Sequence, residues 1–104
     1  MTLTSIKRIG RLVENFLAEC KKQYLMVIID DHVNITQVWV SENYYTENID
    51  IILTPPDQNW GVTLSVSEDI FDAYGDSVVM DLIKSRAIVV PKTSVAKYLF
   101  GVEN

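Results

Sequence analysis

The residues best suited to chemistry are Asp30, Asp31 and His32, which directly follow the apolar segment 24–29. Carboxylates at the end of a buried strand can hold a divalent metal ion, and His32 is the only histidine in the chain. Asp and Asn also favour tight turns, so the same residues fit a polar hairpin turn with no chemical role. The triplet therefore leaves a small metal-dependent enzyme or switch as an alternative function.

The segment Val27-Ile-Ile-Asp-Asp-His32 resembles the first strand and acidic pocket of bacterial response-regulator receiver domains, and Lys92 resembles their lysine before the last helix. In that family the strand opens the domain and the acidic pair leads into a helix. Here a predicted helix precedes the strand, and a predicted strand follows the acidic pair. Thr54 stands where those domains carry their phospho-accepting aspartate. The chain is therefore not expected to be a receiver domain.

Other catalytic patterns do not occur in the sequence. It has no Gly-x-Ser-x-Gly, no glycine-rich phosphate loop and no His-Glu-x-x-His. Its single cysteine, Cys20, lies on the apolar side of a predicted helix, where a thiol typically serves as a small buried hydrophobe. We therefore predict no catalytic residues, no cofactor and no enzymatic activity.

The charged residues are sorted along the chain, whose formal net charge is −5. Residues 30–81 carry eleven carboxylates and no Lys or Arg, whereas the segments on either side each have a net charge of +3. The acidic segment either folds against the two basic ends or keeps one negative field that attracts a basic protein partner. Direct nucleic-acid binding is not expected, because it needs clustered Lys and Arg.

Exposed aromatic residues beside acidic ones are typical of protein interfaces. Tyr44 and Tyr45 fall in a polar loop, and Trp60 follows a second loop that contains two prolines. The alternative is that these rings fold back over the sheet. The predicted partner-binding residues are Glu42, Tyr44, Tyr45, Glu47, Asp50 and Trp60.

The size and composition predict one small globular domain over residues 1–104, with 48% hydrophobic residues and enough chain for one core. One cysteine fits a reducing compartment, so we expect a cytoplasmic protein. The longest apolar run has six residues, far short of the ~20 that span a bilayer, so no membrane partner is expected.

The apolar spacing predicts an α+β fold: a single four- to five-stranded, mostly antiparallel or mixed sheet packed by an N-terminal helix and C-terminal helices. Thr4 or Ser5 is the expected N-cap of the first helix, and Gly75 is expected to divide the second helical region. The predicted helices cover 5–22, 67–84 and 93–101, and the predicted strands cover 24–29, 35–41, 49–54, 61–66 and 87–90, with 30–34 and 42–48 as turns.

Together these features favour a small acidic interaction domain that binds, and inhibits or neutralises, a basic protein. Immunity proteins, antitoxins and counter-defence proteins of phages and plasmids use this strategy. A self-associating structural subunit, in which an edge strand or apolar helix face pairs in a homodimer, is the remaining alternative.

Overall fold

The computed structural model describes residues 2–94, in which one long helix is followed by five strands, two helices, a sixth strand and a short 3₁₀ helix. The α+β prediction is confirmed. The elements are α1 (Thr2–Lys22), β1 (Leu25–Ile29), β2 (His32–Val33), β3 (Gln37–Asn43), β4 (Asn48–Thr54), β5 (Val62–Ser67), α2 (Glu68–Tyr74), α3 (Asp76–Arg86), β6 (Ala87–Pro91) and a short 3₁₀ helix (Lys92–Ser94).

The six strands form two antiparallel sheets of three strands, in the orders β2-β1-β6 and β3-β4-β5. The prediction of one four- to five-stranded sheet was therefore wrong. The chain passes from the first sheet to the second at Ile35 and Thr36, whose successive N–H groups donate to Val27 O (2.8 Å) and Thr54 O (3.0 Å). The hydrophobic pattern could not show this crossing, because it gives the faces of strands but not their partners.

Helix α1 covers the core with a stripe of apolar side chains, as its spacing predicts. Ile9, Val13 and Leu17 are buried against the strands. The helix begins at Thr2, so the N-cap predicted at Thr4 or Ser5 was wrong, and Ser5 is buried inside the helix. A cap contributes only about 1 kcal/mol, which one further helical turn can offset. No helix within residues 2–94 has the length and apolar character needed to cross a membrane.

The second half follows its predicted pattern closely. In β5, Thr63 and Ser65 are exposed, whereas the alternating residues Val62, Leu64 and Val66 are buried. The hydroxyl of Ser67 caps α2 by accepting a hydrogen bond from Ile70 N at 3.1 Å. Gly75, with φ +69°, separates α2 from α3, since that backbone conformation favours glycine. The helix predicted over 93–101 lies outside the described residues apart from its first two.

Two turns contain fewer residues in the structure than the sequence pattern predicts. Asp30 and Asp31 form the turn between β1 and β2, while His32 pairs with Ile29 as a strand residue. Both ends of the predicted loop 42–48 are strand, because the β3–β4 ladder continues to the pair Asn43–Asn48. Only residues 44–47 remain as a turn.

Candidate protein-interaction site

The turn between β3 and β4 is held in one conformation by Asn43. Its side-chain oxygen accepts hydrogen bonds from Tyr45 N (3.0 Å) and Thr46 N (3.3 Å), and its carbonyl accepts from Glu47 N (2.8 Å). Glu47 adopts a left-handed backbone conformation with φ +60°, which closes the turn. An Asn side chain bonded to the following amides is a common way to fix such a turn.

This turn presents two tyrosines to solvent. Tyr44 is 82% exposed and Tyr45 is 101% exposed, so neither ring folds back over the sheet. Tyr side chains contribute large contact areas with little loss of conformational entropy, which makes them frequent interface anchors. The hydrogen-bonded turn therefore holds two aromatic rings where a partner can reach them.

Helix α2 brings further carboxylates to the same place. The β4–β5 ladder pairs Asn48 with Ser67, so α2 begins directly beside the β3–β4 turn. The two elements enclose a concave pocket with a volume of about 600 Å³, which we call the acidic cup. Its lining residues are Glu42, Tyr44, Thr46, Glu47, Asn48, Ser67, Glu68, Asp69 and Asp72.

The acidic cup contains five carboxylates and, within the described chain, no Lys, Arg or His lines it. Glu68 and Asp69 lie in the first turn of α2, where negative charge is favoured. The ion pairs between residues 2–94 are Arg8–Asp76 and Arg86–Asp30, and neither involves the cup. Two arginines of the basic ends thus pair with carboxylates of the acidic segment that do not line the cup.

Three of the six predicted partner-binding residues, Glu42, Tyr44 and Glu47, line the acidic cup, and Tyr45 projects from the turn beside it. Asp50 lies apart on the outer face of the second sheet. Its carboxylate accepts hydrogen bonds from Asn43 Nδ2 (3.1 Å) and Ser65 Oγ (2.8 Å), so it supports the base of the turn.

Trp60 does not lie in the acidic cup, and its indole is 58% exposed. The ring packs edge-on against His32, with the ring centroids 4.9 Å apart. Asp30, in the adjacent turn, accepts a hydrogen bond from Arg86 Nη2 at 2.5 Å. Within the triplet Asp30, Asp31 and His32, Asp30 thus pairs with Arg86 and His32 packs against Trp60.

Sequence reasoning missed Glu68, Asp69 and Asp72 as members of the site. The available signal was the capping pattern at Ser67, which places acidic residues in the first turn of a helix directly after a strand. Locating that helix beside the β3–β4 turn required the register of β4 with β5. Alternation alone does not supply that register.

The chemistry available to the acidic cup is the binding of positively charged groups. Five carboxylates line it, and residues 2–94 contain no group of three or more His, Cys, Asp or Glu side chains that could hold a metal ion. Lys and Arg side chains of a protein can pair with several such carboxylates at once. No protein-family model, curated protein sequence or solved structure matches this chain.

Proposed function

We propose that this protein is an acidic interaction domain that binds a basic protein partner in the cytoplasm and inhibits or neutralises it. The observation that carries the proposal is the acidic cup, with five carboxylates beside two outward-facing tyrosines on a hydrogen-bonded turn. Carboxylates would speed encounter with a basic surface and orient it. Tyr44 and Tyr45 would supply the desolvated contacts that slow dissociation.

Preorganisation of the turn supports this assignment. A loop that must be ordered upon binding loses conformational entropy at that moment, which weakens the complex. Asn43 already fixes the turn through its bonds to Tyr45 N and Thr46 N. The binding energy of the tyrosines would therefore not be spent on ordering their backbone.

The test is affinity capture from lysate of the source organism at low and physiological salt, comparing the wild-type chain with two variants. The cup variant carries Glu42→Gln, Glu47→Gln and Asp72→Asn. The control variant carries Asp31→Asn, Asp57→Asn and Asp81→Asn, three exposed carboxylates outside the acidic cup. Both variants lose the same amount of charge, so total charge cannot explain a difference between them.

A basic protein retained by the wild-type chain and the control, lost from the cup variant and weakened by salt, is the expected result. Equal retention by all three chains would contradict the proposal. Recovery of no partner by the wild-type chain at low salt would also contradict it, and solution mass would then test self-association as a homodimer.

A further inference from the structure

A groove lies between helix α1 and strand β3, on a different surface from the acidic cup. It encloses about 790 Å³ and is lined by helix residues and by residues 36–40. Successive strand residues point to opposite faces. Because four consecutive residues of β3, 37–40, border the groove, its strand wall is the edge of β3 and not one of its faces.

This edge of β3 has no strand partner within residues 2–94, since β3 pairs with β4 on its other side. The β3–β4 ladder runs without a bulge through seven consecutive residue pairs. Natural proteins commonly protect an open edge with Pro, Lys, a bulge or a covering helix, and here α1 borders the edge across the groove. Strand β3, Gln37–Asn43, has neither Pro nor Lys, so its free backbone groups form a regular template for another strand.

The opposite wall is a basic stripe of helix α1. Lys7, Arg11, Glu14, Ala18 and Lys21 follow one another at spacings of four, three, four and three, which places them on one helical face. The stripe extends about 21 Å at 1.5 Å per residue. Strand β3 extends about 23 Å, so both walls match an extended peptide of about six residues.

The basic side chains of the groove are available to a ligand. Lys7, Arg11 and Lys21 are exposed and form no ion pair with the part of the chain that the structure describes. Neighbouring Arg8, by contrast, pairs with Asp76. Three basic side chains against the single carboxylate of Glu14 give the stripe a net positive charge next to an open strand edge, which favours an acidic ligand with an extended backbone.

Gly10 lines the groove at a place where α1 packs closely against β3. A β-carbon at this position would meet Val40 Cγ2 at 3.8 Å, an ordinary contact, so packing does not require glycine here. Glycine is nevertheless unfavourable within a helix. A side chain larger than that of alanine would press on Val40 or extend into the groove.

We propose that the groove between α1 and β3 binds an extended acidic segment of a partner protein, which adds to β3 as an antiparallel or parallel fourth strand. Its backbone would hydrogen-bond to the free edge of β3, and its carboxylates would face Lys7, Arg11 and Lys21. This binding mode combines affinity from main-chain hydrogen bonds with selectivity from the basic stripe.

Two other occupants fit the groove less well. A second copy paired through β3 would bring two basic stripes to the same interface, where like charges oppose association. A nucleic-acid strand would satisfy the basic residues but would leave the backbone groups of β3 without the regular pairing that a peptide strand provides. Both remain as outcomes of the test.

The experiment begins with a phage-displayed library of random peptides about ten residues long. The library is selected on the wild-type chain and, in parallel, on a variant carrying Lys7→Glu and Arg11→Glu. Enriched peptides are synthesised, and their affinities are measured for the wild-type chain, for that variant and for Lys22→Glu. Lys22 is exposed on the same helix but does not line the groove, so it is the matched charge control.

We expect the enriched peptides to be rich in Asp and Glu. The double substitution Lys7→Glu and Arg11→Glu should lower the affinity for these peptides by at least about tenfold, whereas Lys22→Glu should change it less than about twofold. Gly10→Leu also weakens binding, whereas Gly10→Ala retains it. N-methylation of one alternate set of peptide amides abolishes binding and methylation of the other set does not, because only alternate amides of an added strand face β3.

The proposal is overturned if no acidic peptide is enriched on the wild-type chain, or if the groove variants bind the peptides as tightly as the wild type does. Tighter binding of a single-stranded oligothymidylate than of any peptide assigns the groove to nucleic acid instead. A solution mass of two chains that falls to one with Lys7→Glu and Arg11→Glu assigns it to self-association. None of these results depends on the acidic cup.

Discussion

Arg8 Nε donates a 2.8 Å hydrogen bond to Asp76 Oδ1, which joins helix α1 to the start of α3 across 68 positions of sequence. The same guanidinium lies 5.2 Å from the centroid of the Phe71 ring. One side chain thus joins α1 to both α2 and α3 through two contacts. It also shows how the acidic segment is divided: Asp76 and Asp30 pair with arginines, and neither of them lines the acidic cup.

We predict that this pair stabilises the fold only modestly. Both side chains are about half exposed, at 56% and 47%, so solvent and salt screen their attraction. A double-mutant cycle with Arg8→Gln and Asp76→Asn should give a coupling free energy of about 0.2 to 1 kcal/mol by urea denaturation. The coupling should fall as salt rises, and a value that stays constant in high salt would contradict this account.

Gly61 is predicted to be irreplaceable for a steric reason. A β-carbon at this position would lie 2.0 Å from Leu53 O, so the backbone of β4 or β5 would have to move. Gly61→Ala should lower the free energy of unfolding by about 1 to 3 kcal/mol, the usual cost of forcing extra atoms into packed structure. Urea denaturation measures the change directly.

Gly10→Ala is the matched control for this prediction. Its β-carbon meets Val40 Cγ2 at an ordinary distance, so the substitution should raise stability by about 0.5 to 1 kcal/mol through improved helix propensity. If both substitutions destabilise the chain equally, the steric explanation for Gly61 is wrong.

We predict that ionisation of the Cys20 thiol lowers the free energy of unfolding at alkaline pH. Burial raises the pKa of its thiol above the usual value of 9.0, and the negative charge of Glu19 adds to the rise. In the unfolded chain the thiol ionises near its usual pKa, while in the folded chain it holds its proton to higher pH. Its contribution is therefore complete below pH 9.0 and declines as pH rises from there through the folded pKa, by at most about 1.4 kcal/mol per pH unit.

The measurement is the free energy of unfolding between pH 7 and 10.5 for the wild-type chain and Cys20→Ala. The variant loses some packing at every pH, but its stability should decline less steeply above pH 9.0. Parallel curves for the two chains would show that the thiol proton does not contribute.

Local structure was more predictable from the sequence than the pairing of strands. The apolar spacing of α1, the alternation in β5 and the division at Gly75 were each confirmed, because each depends on neighbouring residues. The two-sheet arrangement was not predicted, because β6 pairs with β1 across about sixty residues and Ile35–Thr36 links the sheets through backbone bonds.

In the candidate site, too, local features were more predictable from the sequence than the placement of residues by strand register. Exposure of Tyr44 and Tyr45 could be anticipated from their polar surroundings, but Trp60 and Asp50 occur in similar surroundings and lie elsewhere. Only the register of β3, β4 and β5 separates the members of the acidic cup from the other residues. Register depends on packing between distant segments, which a single sequence does not specify by alternation.

Asn43 should control the order of the β3–β4 turn. Its side chain accepts from Tyr45 N and Thr46 N and donates to Asp50 Oδ2, so Asn43→Ala removes three hydrogen bonds at a partly exposed site. We expect a loss of about 1 to 2 kcal/mol in unfolding free energy and faster hydrogen exchange at the amides of Tyr45 and Thr46.

The control is the pair Tyr44→Ala and Tyr45→Ala, which should change stability by less than about 0.5 kcal/mol because both rings are exposed. If Tyr44 and Tyr45 anchor a partner, the tyrosine substitutions should raise its dissociation rate without affecting the turn, whereas Asn43→Ala should weaken binding through the turn alone. Unchanged amide exchange in Asn43→Ala would mean that the backbone bond from Glu47 N to Asn43 O is sufficient to hold the turn.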